Sequence, residues 1–89
     1  MPKSRLPSAA YPNPAHASAD VRFGLAEATP VRVAVYDMLG REVAVLAQAP
    51  MEAGLHTLRL DARTLPSGLY VVRLETPGRA ESLRLALHQ

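Results

Sequence analysis

The chain has 89 residues, which is long enough for one small domain, and its net charge is +2. Its ten basic side chains are scattered between apolar positions and form no stripe with interleaved aromatic residues, so we predict no nucleic-acid partner. The sequence has no Cys, which excludes a disulfide framework, a zinc knuckle and a cysteine nucleophile. It also has no apolar run near the roughly 18 residues of a membrane-spanning helix.

The first 18 residues are rich in proline, alanine and serine, and they hold four of the eight prolines. Proline fixes its own backbone and biases the preceding residue toward extended geometry. We therefore predict a linker or extended lead-in over residues 1–18 and a folded domain over residues 19–89. An extra strand near Tyr11 would attach the lead-in to that domain.

Apolar and polar residues alternate along most of the remaining chain, which predicts β-strands. In the third such segment we assign Val43 and Val45 to one face and Ala44 and Leu46 to the other. Residues 69–74 are apolar on both faces at all but one position, which indicates a central strand. The six predicted strands lie at residues 21–25, 31–35, 43–46, 58–60, 69–74 and 83–87.

Residues that favour turns separate these segments. In Asp37-Met38-Leu39-Gly40 the aspartate opens a type I turn and the glycine takes the left-handed position after it. Thr76-Pro77-Gly78-Arg79 suits a type II turn, and we expect left-handed geometry at Gly68 as well. Residues 47–54 contain a proline and a glycine, and we predict a loop there. Short strands joined by such turns predict an all-β, antiparallel sandwich of six to seven strands.

An enzyme needs a convergent set of reactive side chains, and the sequence offers none. No two histidines stand at metal-ligand spacing, and no serine lies in a nucleophile elbow. Asp37 and Asp61 are interpreted as turn formers, and the glycines are isolated at turns. We predict no enzyme activity, no metal or cofactor, and no small-molecule substrate.

Four sequence motifs carry a resemblance to a known family. They are Tyr11-Pro12-Asn13-Pro14, Val35-Tyr36-Asp37-Met38-Leu39-Gly40-Arg41-Glu42-Val43, Ala53-Gly54-Leu55-His56 and Leu65-Pro66-Ser67-Gly68-Leu69-Tyr70-Val71-Val72-Arg73-Leu74. In their order and spacing they resemble the C-terminal sorting domain of the type IX (Por) secretion system of Bacteroidetes. The similarity runs from Tyr11 to the end of the sequence.

The resemblance implies an immunoglobulin-like sandwich at the C-terminus of a larger exported protein. In this family the domain is read in the periplasm and guides its passenger across the outer membrane. The passenger is then attached to the cell surface or released. The implied partners are the outer-membrane secretion machinery, its processing protease and a passenger domain on the same chain.

The resemblance also indicates which residues are expected to carry the sorting signal. Many family members end in a basic residue after an apolar strand, whereas this sequence ends in His88 and Gln89. Arg84 is expected to stand in for that basic position. The terminal strand is also expected to offer an edge to which a partner strand adds. The residues assigned to the signal are Asn13, Pro14, Asp37, Gly40, Gly54, Gly68, Tyr70, Arg84, Leu85, Leu87, His88 and Gln89.

Two other non-catalytic functions fit the same sequence. One is a generic immunoglobulin-like module for adhesion, spacing or carbohydrate binding, although the chain has only three tyrosines and no tryptophan to stack on a sugar. The other is a structural domain like that of the flagellar hook-capping protein, which shares the Tyr-Asp-x-x-Gly and Ser-Gly-x-Tyr features. A full reading frame with an export signal, a large passenger and this domain at its C-terminus favours sorting over both.

Overall fold

The computed structural model describes residues 8–89, and this part of the chain is all-β. Over the described residues no helix is long and apolar enough to cross a membrane. The strands are β1 (Ala9–Tyr11), β2 (Ser18–Leu25), β3 (Thr29–Asp37), β4 (Glu42–Met51), β5 (Gly54–Asp61), β6 (Gly68–Thr76) and β7 (Arg79–Leu87).

The seven strands form two antiparallel sheets. One sheet has the strand order β1-β2-β5, and the other has the order β4-β3-β6-β7. The segment predicted to be a central strand is β6, which lies between β3 and β7 as expected. The predicted all-β sandwich of six to seven strands is confirmed, and its two-layer arrangement is consistent with an immunoglobulin-like fold.

The core lies between the two sheets and is built from alternating residues of the inner strands. Fully burying an aliphatic or aromatic side chain contributes roughly 1.5–3 kcal/mol. The period-two pattern of the sequence is therefore the main physical reason for this fold. The largest fully buried side chains are Phe23, Leu85, Val21, Val33, Val35 and Val72.

The structure overturns two expectations about β4. The stretch predicted to be a loop, residues 47–54, is strand as far as Met51, and only a short turn separates it from β5. Pro50 does not break the strand because β4 is the outer strand of its sheet, where a proline nitrogen can face solvent.

The second error concerns the faces of β4. The β3–β4 register shifts twice, between Val33 and Ala34 and between Val35 and Tyr36. Each shift inserts one extra residue into β4, as a β-bulge does, and interrupts the alternation of side chains. As a result Ala44 packs on the core together with Val43, Leu46 and Ala47, whereas Val45 is exposed.

The described part of the proline-rich lead-in, residues 8–18, packs closely on the sandwich. Ala9, Ala10 and Tyr11 pair with β2 as the short strand β1, and the Arg22 guanidinium lies over the Tyr11 ring. Ala15 is fully buried and forms an isolated bridge with the end of β7. The lead-in therefore joins the edges of both sheets.

The predicted turn conformations are confirmed for both glycines. Gly40 has φ +81°, the left-handed geometry expected after the Asp37 turn. Gly68 has φ +156°, which also lies in the range of positive φ that side chains rarely adopt. Hydrogen bonds of Tyr70 and Ser67 hold the reversal before β6 as well.

Candidate functional site

Most of the predicted signal residues lie at one end of the sandwich. We call this the motif end; it comprises residues 13–18, 37–42, 61–70 and 84–89. The strand registers place these segments together, since Ser18 pairs with Asp61 and Gly68 pairs with Leu87. Gly54 is the exception, because it pairs with Leu25 at the other end. The structure thus separates the third sequence motif from the other three.

Asp37 organises the β3–β4 turn at the motif end. Its carboxylate accepts hydrogen bonds from the Leu39 and Arg41 N–H groups at 2.9 and 3.0 Å and from Arg41 Nε at 2.8 Å. Its carbonyl accepts the Gly40 N–H at 3.0 Å. The Arg41 N–H, together with its guanidinium and the Leu39 N–H, holds the pKa of Asp37 below its ordinary value. The interpretation of Asp37 as a turn former is confirmed.

The same turn projects two apolar side chains into solvent. Met38 is 66% exposed and Leu39 is 78% exposed. Leu69, at the start of β6, is 56% exposed, and its neighbours Pro66 and Gly68 line the same cleft as the Asp37 turn. Exposed apolar clusters of this kind are common at surfaces that bind other proteins.

Tyr70 fixes the loop that precedes β6. Its ring is buried in the core, and its hydroxyl donates to the Pro66 carbonyl at 2.6 Å. A tyrosine that bonds back to the loop before its own strand is the tyrosine corner of immunoglobulin-like domains. Tyr70 therefore holds the loop before β6 in place, and it is itself inaccessible to a partner.

Asn13 contacts the outer edge of β7 through both atoms of its side-chain amide. Its Nδ2 donates to the Arg84 carbonyl at 3.1 Å, and its Oδ1 accepts the Ala86 N–H at 3.0 Å. An asparagine side chain offers a donor and an acceptor together, and so it satisfies two neighbouring backbone groups of an edge strand. Asn13 thus takes the place of a missing neighbouring strand.

Ala15 extends this cover toward the end of β7. Its N–H donates to the Ala86 carbonyl at 2.8 Å, and its carbonyl accepts the His88 N–H at 2.7 Å. His16 adds a contact of 2.7 Å between Nδ1 and the His88 carbonyl, and the two imidazole rings pack edge to face. The terminal edge that we expected to be open is therefore covered by the lead-in over residues 84–88.

Gln89 anchors the end of the sequence to the loop before β6. Its N–H donates to the Ser67 hydroxyl at 2.9 Å, and its Nε2 contacts the carbonyls of Ala62 and Leu65 at 2.5 and 3.0 Å. Arg63 stabilises the same loop by binding the Asp61 carboxylate, which lowers the pKa of Asp61 to about 2. The turn-forming interpretation of Asp61 is also confirmed.

The predicted signal residues of β7 divide into buried and exposed groups. Leu85 and Leu87 are buried in the core, whereas Arg84 and His88 are exposed. A partner can touch only the exposed group, and so the leucines act on folding. Sequence reasoning missed Ala15 and Ser67, because an alanine and a serine in a loop carry no local sign of a partner distant in sequence.

Within residues 8–89 no three metal-binding side chains come together to form a candidate metal site. His56 stacks on Phe23 and binds the Glu52 carbonyl through Nε2 at 2.7 Å, which makes it part of the sandwich packing.

Comparison with known proteins gives a family and a fold. The model of the secretion system C-terminal sorting domain matches residues 9–87. A similar solved structure is that of PorZ, described as an essential bacterial surface component of the type IX secretion system of Porphyromonas gingivalis. The TM-score is 0.62 at 20% identity, with 92% of this chain and 11% of that chain covered. No curated protein sequence matches.

The likeness to PorZ is one of fold, and this chain spans about a tenth of that protein's length. The family match covers nearly the whole sequence and includes all four motifs. The chain belongs to the secretion system C-terminal sorting domain family, and it is a domain that directs export toward the cell surface through the type IX secretion system.

Proposed function

We propose that the motif end is the surface that the secretion machinery recognises, with the passenger joined upstream of β1. The observation that carries this proposal is the gathering of three motifs and residues 87–89 at one end of the sandwich. Segments 71–73 residues apart in sequence are tied together there by the Asn13 and Ala15 contacts. A receptor at this end therefore reads a folded surface and not a linear peptide.

Within the motif end, the exposed apolar residues Met38, Leu39 and Leu69 form the recognition contact. The fully buried centre of a protein interface is more apolar than the rest of the surface, and Met is enriched there. Arg84 and His88 are exposed on the neighbouring strand end and supply polar contacts at the rim. The buried members of the predicted signal, among them Tyr70 and Leu85, hold this surface in shape.

We expect the processing protease to cleave the chain upstream of the sandwich. The lead-in is part of the fold from Ala9 onward, because β1 pairs with β2 and Ala15 is buried. Cleavage between residues 9 and 15 would separate β1 from the contacts that cover β7. We therefore place the start of the folded domain at residue 9 instead of residue 19, with the protease site before it. Passage through the periplasm comes before this cut.

In this proposal the domain is non-catalytic, and all chemistry resides in the passenger and the protease. The similarity to PorZ favours one second candidate, because that fold occurs within a surface component of the secretion system itself. A domain of this kind would be a structural module of a larger surface protein. The two candidates differ in one property. A sorting domain causes the export of an unrelated passenger that is fused to it, whereas a structural module does not.

The test is a fusion of the full 89-residue chain to the C-terminus of a reporter that carries an N-terminal export signal. In a host with an active type IX system, the reporter is expected on the cell surface or in the medium. The same reporter without the chain is the control and is expected to stay in the periplasm. Periplasmic retention of an intact, folded fusion would contradict the proposal and favour the structural-module candidate.

A further inference from the structure

The sandwich has four sheet edges, and three of them are protected. β1 is only three residues long, β4 carries two bulges and a proline, and β7 is covered by Asn13 and Ala15. Short edges, bulges, prolines and covering segments are the ways in which proteins prevent strands from pairing between molecules. The fourth edge, that of β5, has none of them.

β5 is a regular strand of eight residues. It pairs with β2 in an unbroken register from Ser18–Asp61 to Leu25–Gly54. One step beyond, the Ala62 N–H donates to the Ala17 carbonyl at 2.9 Å. Backbone groups point to alternate sides along a strand, so the even-numbered residues of β5 face β2. The N–H and C=O groups of Leu55, Thr57 and Arg59 therefore point away from the sheet.

Side chains do little to protect this edge. Leu55 is 60% exposed, and Thr57 is uncharged. The one charge at the middle of the edge, Arg59, binds Asp20 on β2 at 3.0 Å. A charge that is balanced within its own sheet is a weak barrier to another strand. Among the described residues, nothing pairs with the outer side of β5.

The core is also thinnest beside β5. β5 contacts β4, and no side chain of β4 is fully buried, in contrast to β2, β3, β6 and β7. Val43 and Leu46 on β4 and Leu58 on β5 are only partly covered. A strand added to β5 would extend the three-stranded sheet and cover this side of the core.

We propose that the β5 edge pairs antiparallel with the β5 edge of a second copy of this chain. The sequence of β5 is self-complementary in the register centred on Thr57. In that register Thr57 lies opposite its own counterpart and Leu55 lies opposite Arg59, so that no like charges meet. The product is a two-fold dimer with a continuous six-stranded sheet, β1-β2-β5-β5-β2-β1, whose outer strands are the short β1. This interface is separate from the motif end and goes beyond the sorting function.

Sedimentation equilibrium of the full chain tests the proposal. From about 10 μM to about 1 mM the average mass should rise from one chain toward two, because dimer formation follows mass action. Thr57→Pro removes an N–H that faces the partner but not β2, so it should abolish the rise, while Thr57→Val should keep it. Circular dichroism and the melting temperature of both variants establish that they are folded. A wild-type mass that stays at one chain would overturn the proposal.

Position 55 gives a second test that does not rely on proline. The register places residue 55 opposite Arg59 of the other copy. At low salt, Leu55→Lys should therefore raise the dissociation constant of the dimer at least severalfold. Leu55→Glu should give a lower dissociation constant than Leu55→Lys. Non-specific apolar association would weaken equally in both variants. Equal weakening, or dimerisation of a folded Thr57→Pro variant, would exclude β5 pairing.

Discussion

β4 and β7 are the two outer strands of the same sheet, and they are protected in opposite ways. β4 protects itself, with two bulges and Pro50 in its own sequence. β7 is regular and depends on a distant segment, since Asn13 and Ala15 cover the backbone of residues 84–88. The protection of β4 is therefore intrinsic, whereas the part of the β7 cover that Asn13 supplies can be removed by one substitution in the lead-in. The comparison matters for sorting because β7 carries the end of the predicted signal.

The largest loss of stability should come from shortening a core side chain in β4 or β7. Leu85→Ala in β7 should lower the free energy of unfolding by about 2–5 kcal/mol, because Leu85 is fully buried. Leu46→Ala in β4 should cost clearly less, because Leu46 is only partly buried and its site can be refilled by solvent. Urea unfolding measures both. Equal losses would show that β4 contributes to the core as strongly as β7.

A substitution in the turn that leads into β4 should lower the stability by a smaller amount. Gly40 has φ +81°, and a β-carbon there meets no other atom within 4 Å. Gly40→Ala is therefore a test of backbone conformation alone, and it should cost about 1–2 kcal/mol. Ser67→Ala, in a loop on the other side of the same cleft, is the comparison variant, because it removes a side-chain contact and leaves the backbone conformation unchanged. A melting temperature unchanged by Gly40→Ala would mean that the turn adopts another conformation in solution.

Removing the cover of β7 should have a local effect of about 1–2 kcal/mol, given two hydrogen bonds of roughly 0.5–1.5 kcal/mol each. Asn13→Ala should speed amide exchange at Ala86, whose N–H donates to Asn13 Oδ1. Asn13→Asp keeps that acceptor but turns a carboxylate oxygen toward the Arg84 carbonyl, so it should leave protection between that of the wild type and that of Asn13→Ala. Gln48→Ala in β4 is the control, and it should leave amide exchange at Ala86 unchanged. Unaltered exchange at Ala86 in Asn13→Ala would show that the cover is absent in solution.

The smallest effect is a dependence of stability on pH. The folded pKa of Asp61 is lowered to about 2 by the Arg63 side chain and N–H, and that of Asp37 is lowered by the Arg41 N–H. A lowered folded pKa gives stability that is complete above the ordinary pKa and is lost as pH falls toward the folded value. Stability should therefore decline between about pH 4 and pH 2, and less steeply in Asp61→Asn. An identical decline in that variant would exclude Asp61 as a cause.

The same comparison shows what the sequence could predict. The alternation in β2, β3 and β7 identifies these strands, because each faces the core on one side, whereas β6 is identified by its apolar run on both faces. It fails in β4, where each bulge moves the following residues to the other face. The Asn13 contact is beyond local patterns, since it joins residues 71–73 apart. The motifs predict the turn at Asp37 and Gly40, which the structure confirms, but they give no indication that Met38 and Leu39 are exposed.

The most direct test of the recognition surface is the fraction of reporter displayed on the cell surface by two folded double variants. Met38→Ser with Leu39→Ser alters the motif end, and Val45→Ser with Leu55→Ser removes two exposed apolar side chains from β4 and β5. We predict that the first fusion is retained in the periplasm and that the second is displayed like the wild type. Display of both at the wild-type level, or retention of the second alone, would contradict recognition at the motif end.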